Sequence, residues 1–155
     1  MAKQSAGILA YRIRNKVLQV FLVHPGGPFW KNKDEGAWSV PKGEFADDED
    51  ALVAAKREFL EETGQAIDGD FIALKPVRLK SGKTVHAWAV EAEVDETNIV
   101  SNTFSFEWPP KSGKMIAVPE VDKAGWFDVQ IAKQKVNQAQ TVLMDELIRM
   151  IISKS

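Results

Sequence analysis

The first forty residues consist of two apolar runs followed by a stretch that breaks regular structure. The apolar runs cover residues 5–12 and 17–24, and both contain residue types that favour β-strands. Arg14-Asn15-Lys16 separates them, so the pattern predicts a β-hairpin. Residues 24–36 are expected to form a loop, because Pro25, Gly26, Gly27 and Pro28 break regular structure. A short strand is predicted over residues 38–40, where Pro41 ends it.

A helix is predicted from about Glu49 to residue 63. Its core-facing apolar positions recur at helical spacing, and they are Leu52, Ala55 and Phe59. Asp47 and Asp48 precede the helix and are expected to supply N-cap oxygens. Gly64 follows the last helical residue, which is where a helix-terminating glycine stands.

The rest of the chain alternates further strand candidates with two helices. Strands are predicted over residues 71–79, 84–93, 103–108, 114–118 and 125–127. Asp128 is expected to cap a helix that runs to about residue 135, and an amphipathic helix is predicted over residues 138–152. The core-facing stripe of this last helix is predicted to comprise Val142, Leu143, Leu147, Ile148 and Ile151. The pattern indicates an α+β fold in a single domain, residues 1–155.

Composition and charge restrict the possible functions. The chain has 155 residues, of which 45% are apolar and 27% charged, as in an ordinary soluble domain. A net charge of −2 argues against stable nucleic-acid binding, which usually needs a basic face. The absence of cysteine excludes disulfides, zinc–thiolate sites and a cysteine nucleophile. With no signal-like N-terminus and no span of 18 apolar residues, we expect a cytoplasmic protein without membrane association, either a monomer or a homodimer.

The helix that begins near Glu49 carries three carboxylates that helical spacing brings together. Glu61 and Glu62 lie three and four residues after Glu58, so all three share one face. Like charges at this spacing repel one another, whereas divalent cations such as Mg²⁺ prefer clustered oxygen ligands. The cluster therefore indicates a metal site.

The same stretch resembles the Nudix box, the signature of the Nudix hydrolases. That pattern runs glycine, five residues, glutamate, seven residues, arginine-glutamate, an apolar residue, any residue, two glutamates, any residue, glycine and an aliphatic residue. The matching positions are Gly43, Glu49, Arg57, Glu58, Phe59, Glu61, Glu62 and Gly64. Gln65 stands where the aliphatic residue is usual, at a packing position. The resemblance implies the Nudix fold, a mixed β-sheet sandwiched between α-helices, over nearly the whole chain.

The resemblance also implies a metal centre of Mg²⁺ or Mn²⁺. The implied ligands are the three glutamates of the cluster, Glu58, Glu61 and Glu62, and the backbone carbonyl of Gly43. Arg57 is implied to orient them by bridging toward Glu49. The catalytic set then consists of Glu61, Arg57 and a further carboxylate beyond the box.

Three residues compete for the role of that further carboxylate. Glu120 precedes a short predicted strand, at a place where many Nudix enzymes carry a glutamate acting as base or extra ligand. Asp122 is the alternative on the same loop, and Glu107 is a weaker candidate.

Substrate contacts are predicted from aromatic and basic residues in loops. A base could stack on one of four aromatic side chains, which are Trp30, Phe104, Phe106 and Trp108. Lys42, beside the box glycine, is a candidate for phosphate contact or simply a solvated lysine. His24 and His86 are more often structural than functional in such positions.

The expected function is that of a metal-dependent pyrophosphohydrolase. Its substrate would be a nucleoside triphosphate, a dinucleoside polyphosphate or a related nucleoside diphosphate derivative. Lys80 stands where ADP-ribose enzymes tend to carry proline, and Ser81 and Gly82 where dinucleoside polyphosphate enzymes often carry tyrosine. The Trp38-x-x-Pro41-Lys42-Gly43 entry is nevertheless similar to that of dinucleoside polyphosphate hydrolases, which hints at that substrate type.

Two other functions are alternatives to this expectation. The first is a catalytically inactive Nudix domain that serves as a nucleotide sensor or protein-binding module. Such domains typically lose box glutamates, and all of them are present here. The second is an RNA-cap hydrolase, which would need an RNA-presenting surface that the acidic composition does not support.

Overall fold

The computed structural model describes residues 3–154, with only the backbone of Lys154 described. The strands are β1 (Gln4–Arg14), β2 (Val17–Pro25), β3 (Lys42–Glu44), β4 (Ile72–Ala73), β5 (Val77–Arg78), β6 (Thr84–Glu91), β7 (Thr103–Glu107), β8 (Met115–Pro119) and β9 (Val121–Asp128). The helices are α1 (Ala51–Thr63), α2 (Val129–Lys135) and α3 (Thr141–Lys154), and a 3₁₀ turn, Gln138–Gln140, leads into α3.

A mixed sheet forms the centre of the molecule. Its strand order is β4-β6-β1-β2-β9, with β3 paired to β1 and β5 paired to β6. Strand β1 runs antiparallel to β2 and β3 but parallel to β6. The predicted β1–β2 hairpin is confirmed, and both Asn15 and Lys16 adopt positive φ in its two-residue turn.

Helices cover both faces of this sheet, so β1 is buried on both sides. Ile8 packs with Phe59 of α1 in one core, whereas Leu9 packs with Leu143 of α3 in the other, and all four are 0% exposed. Burial of both faces explains why β1 appears as a continuous apolar run rather than an alternating one. The predicted α+β class, with a mixed sheet sandwiched between helices, is confirmed.

The start of α1 differs from the prediction. Asp50 is the N-cap, and its carboxylate accepts a hydrogen bond of 3.0 Å from the Val53 amide. The prediction that Asp47 and Asp48 cap the helix is therefore wrong. Three aspartates near one helix start are equivalent as cap residues by type alone. The predicted end of the helix is confirmed, because Gly64 adopts φ 76° as its C-cap.

The C-terminal helix begins later and faces the core with a different stripe than predicted. The 3₁₀ turn displaces its first residue to Thr141. Val142 is 51% exposed, and Met144 is fully buried in its place. Adjacent helical positions lie about 100° apart, so a small rotation moves Val142 out of the core while Leu143 and Leu147 stay within it.

Some strand boundaries also differ. The predicted strand over residues 71–79 is divided into β4 and β5, because both pair with β6 at separate points. Residues 38–40 form only isolated bridges, Ser39 to Val23 and Trp38 to Val136. The strand predicted over residues 125–127 extends over all of β9.

Strands β7 and β8 form a separate antiparallel pair outside the main sheet. We refer to residues 103–119 as the aromatic hairpin. Phe104, Phe106 and Trp108 alternate along it with polar residues, so the three rings share one face. Within residues 3–154, no helix is both long and apolar enough to cross a membrane.

Candidate active site

Arg57 organises the carboxylates of α1. Its guanidinium donates two hydrogen bonds of 3.1 Å to Glu49, one from Nε and one from Nη2. Nη1 donates to Glu58 at 3.3 Å and to Glu61 at 3.2 Å. The fixed fork of arginine suits such a bridge. Arg57 therefore fixes the orientation of Glu58 and Glu61 from one side and is itself held by Glu49.

Gly43 allows β3 to lie directly against the Glu58 carboxylate. A Cβ placed on Gly43 would overlap all three atoms of that carboxylate group. Glycine is required here for close approach rather than for an unusual backbone angle. The strand backbone and the helix carboxylate thus meet at the position where the sequence predicted both to serve one metal.

The charges of the glutamates are only partly compensated. Burial, followed by the charges of Glu58 and Glu120, raises the pKa of Glu62 to about 9. Burial and the charge of Glu61 raise the pKa of Glu58, although Arg57 opposes the rise. Both residues are 8% exposed. Excess negative charge at a low-dielectric site is the condition that a divalent cation relieves.

Glu120 belongs to this cluster although it lies on a distant segment. Burial and then the charge of Glu61 raise its pKa, and its own charge contributes to the raised pKa values of Glu58 and Glu62. Its backbone is fixed between β8 and β9, where its amide donates to Asn102 at 2.8 Å. The tertiary fold thus brings a fourth carboxylate to the three on α1.

The two competing carboxylates are engaged elsewhere. Asp122 Oδ1 lies at hydrogen-bonding distance, 2.8 Å, from Nδ1 of His24. Glu107 accepts hydrogen bonds of 3.1 Å from the amides of Lys111 and Gly113 and so closes the turn of the aromatic hairpin. Glu120 is therefore the carboxylate that the fold places beside the box.

The donor set fits a hard divalent cation, with carboxylate oxygens supplied by Glu58, Glu61 and Glu62. As the side chains stand, no three acidic or histidine residues among residues 3–154 form a ready-made metal cage. The carboxylates repel one another, and Arg57 holds Glu58 and Glu61 by hydrogen bonds. Both effects keep the carboxylates apart when no cation lies between them.

A cleft of about 270 Å³ opens beside the carboxylates. Lys42, Glu62 and Glu120 line its charged side, and Trp30 and Trp38 line the other. Burial lowers the pKa of Lys42, and Lys83 lowers it further, whereas the nearby glutamates, Glu62 first, oppose the change. The cleft therefore offers one cation and one aromatic wall next to the box.

A family model for the NUDIX domain matches residues 1–147. The chain belongs to the Nudix family. Membership supports the predicted enzyme class, a hydrolase acting on phosphoric anhydrides. No curated protein gives a significant sequence match.

Solved Nudix structures share this fold at low sequence identity. An Ap4A hydrolase from C. elegans, in a binary complex, is 17% identical, with 96% of this chain and 98% of that chain covered at a TM-score of 0.66. A mutT/nudix family protein from Listeria innocua is also 17% identical, with 98% and 95% covered and a TM-score of 0.64. The NUDIX domain of Shewanella oneidensis NrtR, complexed with ADP ribose, is 16% identical, with 98% and 89% covered and a TM-score of 0.63.

The predicted aromatic contacts of this Nudix domain fall into a second cavity. An apolar groove, also of about 270 Å³, lies between the loop after β2 and the aromatic hairpin. Its rings are those of Phe29, Trp30, Phe104, Phe106 and Trp108. Phe106 and Trp108 stack with centroids 6.0 Å apart, and Lys33 Nζ lies 3.6 Å from the centroid of Phe29.

Trp30 lines both the cleft and the apolar groove, so the two cavities share a wall. Lys42 lines the cleft, and Phe104 and Trp108 line the groove. The predicted substrate residues therefore lie in two adjoining cavities rather than one.

Sequence reasoning missed two polar residues of the cleft, Asn137 and Gln140. Gln140 is 1% exposed; its Oε1 accepts from the Val40 amide at 3.1 Å, and its Nε2 donates to Ser39 Oγ at 2.9 Å. A buried glutamine next to an apolar helix has no signal in the sequence pattern. His86 contacts Gln4 at 2.6 Å through Nε2, which is consistent with a structural role.

Proposed function

We propose that this Nudix domain is a metal-dependent pyrophosphohydrolase that cleaves the diphosphate linkage of nucleotides. The observation that carries the proposal is the approach of Glu120 to Glu58 and Glu62 at the mouth of a cleft that also contains Lys42. Glu62 and Glu120 line the cleft beside Lys42, and Glu58 and Glu62 are buried with raised pKa values. This arrangement is costly for a purely structural role, because the buried carboxylates are not fully compensated.

Each residue has a specific part in the proposed reaction. Glu58, Glu61 and Glu62, with the Gly43 carbonyl, would hold Mg²⁺ or Mn²⁺. When bound, such an ion neutralises phosphate charge and lowers the pKa of water. Arg57 keeps Glu58 and Glu61 oriented, since it bonds both. Glu120 takes the proton from the attacking water as general base, and its raised pKa suits that task.

The substrate is proposed to extend from the cleft into the apolar groove. Phosphates would lie beside Lys42 and the carboxylates, and a base would stack on Trp30 or on the rings of the aromatic hairpin. The candidates are nucleoside triphosphates, dinucleoside polyphosphates and related nucleoside diphosphate derivatives. The Trp38-x-x-Pro41-Lys42-Gly43 entry supports testing dinucleoside polyphosphates first.

A nucleotide panel with and without Mg²⁺ or Mn²⁺ tests the proposal. The panel includes Ap4A and ADP-ribose, which the names of two structural neighbours contain, and nucleoside triphosphates. We expect metal-dependent release of a nucleotide or pyrophosphate product from at least one substrate. Nucleotide binding without turnover of any substrate would instead favour the catalytically inactive sensor.

Calorimetric titration with Mn²⁺ tests the metal site separately. Glu61→Gln combined with Glu62→Gln is expected to abolish binding and turnover. The matched control is Asp47→Asn combined with Asp48→Asn, which removes two exposed carboxylates just before the same helix. Undiminished Mn²⁺ binding in the glutamate double variant would show that the metal site lies elsewhere.

A further inference from the structure

His24 is a buried ionisable residue for which the proposed reaction gives no role. It is 0% exposed, at the end of β2. Its Nδ1 lies 2.8 Å from Asp122 Oδ1, and its Nε2 lies 2.6 Å from the backbone oxygen of Lys33. Both ring nitrogens therefore contact an oxygen, and which of them donates depends on the tautomer of the ring.

Asp122 occupies a β-bulge between β2 and β9. His24 pairs with Lys123, but the next residue, Pro25, pairs with Val121, so Asp122 is the extra residue. The bulge shifts the alternation of β9, because Val121 packs in the same core as Ala124 and Trp126. Without an extra residue, positions 121 and 124 would face opposite sides of the sheet. Bulges are used next to active sites to redirect side chains.

The residue redirected by this bulge is Glu120. It stands immediately before the shifted Val121, and its backbone oxygen accepts from the Gly26 amide at 3.1 Å. The end of β2 and the end of β8 lie so close together that a Cβ on Gly26 would overlap the backbone oxygen of Pro119. The bulge thus determines which side of β9 the Glu120 side chain faces.

The second partner of His24 fixes the loop that follows β2. Lys33 lies in the same loop as Trp30, the residue shared by the cleft and the apolar groove. The buried His24 ring therefore connects the bulge at Asp122 with the loop that carries Trp30.

We propose that His24 is a positioning residue that acts through Asp122 to hold the bulge and so aim Glu120 at the box glutamates. The proposal rests on the proposed function in one respect, namely that Glu120 is the general base. The contact with Lys33 gives His24 a second effect, which is to hold the loop of Trp30 against the same bulge.

A double-mutant cycle tests whether Asp122 acts through Glu120. Its side chain is 32% exposed, so Asp122→Ala leaves the core intact. We expect this change to lower kcat by at least about tenfold in the wild-type background. In the Glu120→Gln background the same change should alter kcat by less than about twofold, the usual scatter of independent effects. Equal losses in both backgrounds would overturn the proposal. Lys123→Ala, at the neighbouring residue, is the matched control and should leave kcat unchanged.

Two measurements are independent of activity. NMR should show a slowly exchanging ring proton of His24 in the wild-type protein, and Asp122→Ala should speed its exchange while Lys123→Ala does not. Trypsin should cleave after Lys31 and Lys33 faster in Asp122→Ala than in Lys123→Ala. Equal exchange rates of the ring proton, or equal cleavage rates, in these two variants would overturn the link between loop and bulge. If Glu120→Gln alone keeps full kcat, the assignment of the base fails, and these two measurements still decide whether His24 joins the two segments.

Discussion

At the residue scale, the site is defined by carboxylates that the fold buries together. Arg57 compensates Glu49, Glu58 and Glu61 but forms no ion pair with Glu62 within the described residues. Lys42 lies near Glu62 instead. The charge of Lys42 and its backbone hydrogen bond lower the pKa of Glu62, but less than burial and the neighbouring carboxylates raise it. An apo site with this charge balance is expected to be less stable than its metal-bound form, because metal binding adds the missing positive charge.

The first prediction concerns the proposed base. Glu120→Gln should lower kcat by at least about tenfold, because a positioned base contributes about 10²–10⁴-fold in rate. The change is isosteric and lies on a segment held by backbone hydrogen bonds, so KM and the thermal midpoint should change little. Steady-state kinetics and thermal unfolding measure both.

Glu107→Gln is the control for this prediction, since Glu107 closes the hairpin turn outside the box. Full activity in Glu120→Gln, together with a loss in Glu107→Gln, would assign the role to the hairpin carboxylate instead.

The second prediction concerns the pH dependence of stability without metal. The pKa of Glu62 rises from an ordinary 4.5 to about 9 on folding, so the folded protein retains a proton that the unfolded chain has lost. Stabilisation by this proton is fully present below about pH 4.5 and is lost as the pH rises toward 9. The free energy of unfolding of the wild type in EDTA should therefore fall between pH 5 and 8.

Glu62→Gln should reduce that fall, because the neutral amide has no proton to lose. Urea denaturation at several pH values is the measurement, and the total fall between pH 5 and 8 should be smaller in Glu62→Gln by at least about 1.4 kcal/mol, the equivalent of one pKa unit. The Glu58 and Glu120 carboxyls, whose pKa values are raised as well, contribute to the fall that remains. Parallel curves for the two proteins would contradict the raised pKa of Glu62.

At the element scale, α1 carries the site, so the stability of its ends bears on function. Asp50 caps the first turn, and Gly64 closes the last with a hydrogen bond of 2.8 Å from its amide to Leu60. Between these ends, Phe59 and Ala55 anchor the helix in the core while the glutamates face β3 and Glu120. The position of the carboxylates therefore depends on a helix that is fixed at both ends and along one face.

The third prediction tests the cap. Asp50→Ala should lower the free energy of unfolding by about 1 kcal/mol, because the Val53 amide loses its acceptor. Asp47→Ala and Asp48→Ala remove exposed carboxylates nearby that do not cap the helix, and each should change stability by less than about 0.5 kcal/mol. Chemical denaturation of the three variants ranks them. A larger loss for Asp47→Ala or Asp48→Ala than for Asp50→Ala would place the helix start earlier.

At the scale of the whole molecule, the two cavities meet at Trp30. The cleft is built from the main sheet and its connections, whereas the apolar groove requires the aromatic hairpin that stands outside that sheet. A substrate with separate phosphate and aromatic parts matches this division. Under the proposal that a base stacks in the apolar groove, the hairpin is the part of the molecule that would contact this base.

The fourth prediction follows from this arrangement. Trp30→Ala and Trp108→Ala should each raise KM for the best nucleotide by roughly fivefold or more, since stacking on one base is worth about 1–3 kcal/mol. Met115→Ala is the control, because Met115 is 61% exposed and pairs with Glu107 on the other face of the same hairpin. If KM is unchanged in both tryptophan variants as well as in Met115→Ala, the base binds outside the groove.

Features that depend on local geometry were predictable from the sequence. Helical spacing alone brings Glu58, Glu61 and Glu62 to one face and places Arg57 two turns from Glu49. The hairpin of β1 and β2 and the glycine end of α1 were predictable for the same reason, since each depends only on a few adjacent residues. The same local rules did not distinguish Asp50 from Asp47 and Asp48, because three cap residues of similar chemistry stand side by side.

Long-range packing determines what lies beside those local features. Glu120 lies near the box glutamates on a segment whose backbone bonds to Gly26 and Asn102, and pairing between residues so far apart leaves no local mark in the sequence. Gln140 enters the cleft and Val142 leaves the core because a 3₁₀ turn displaces the start of α3. Trp30 lines two cavities because the aromatic hairpin, which is distant in the sequence, lies beside the loop that carries Trp30. Each of these contacts depends on long-range packing, and that is why spacing along the sequence identified the candidate residues without showing which of them meet.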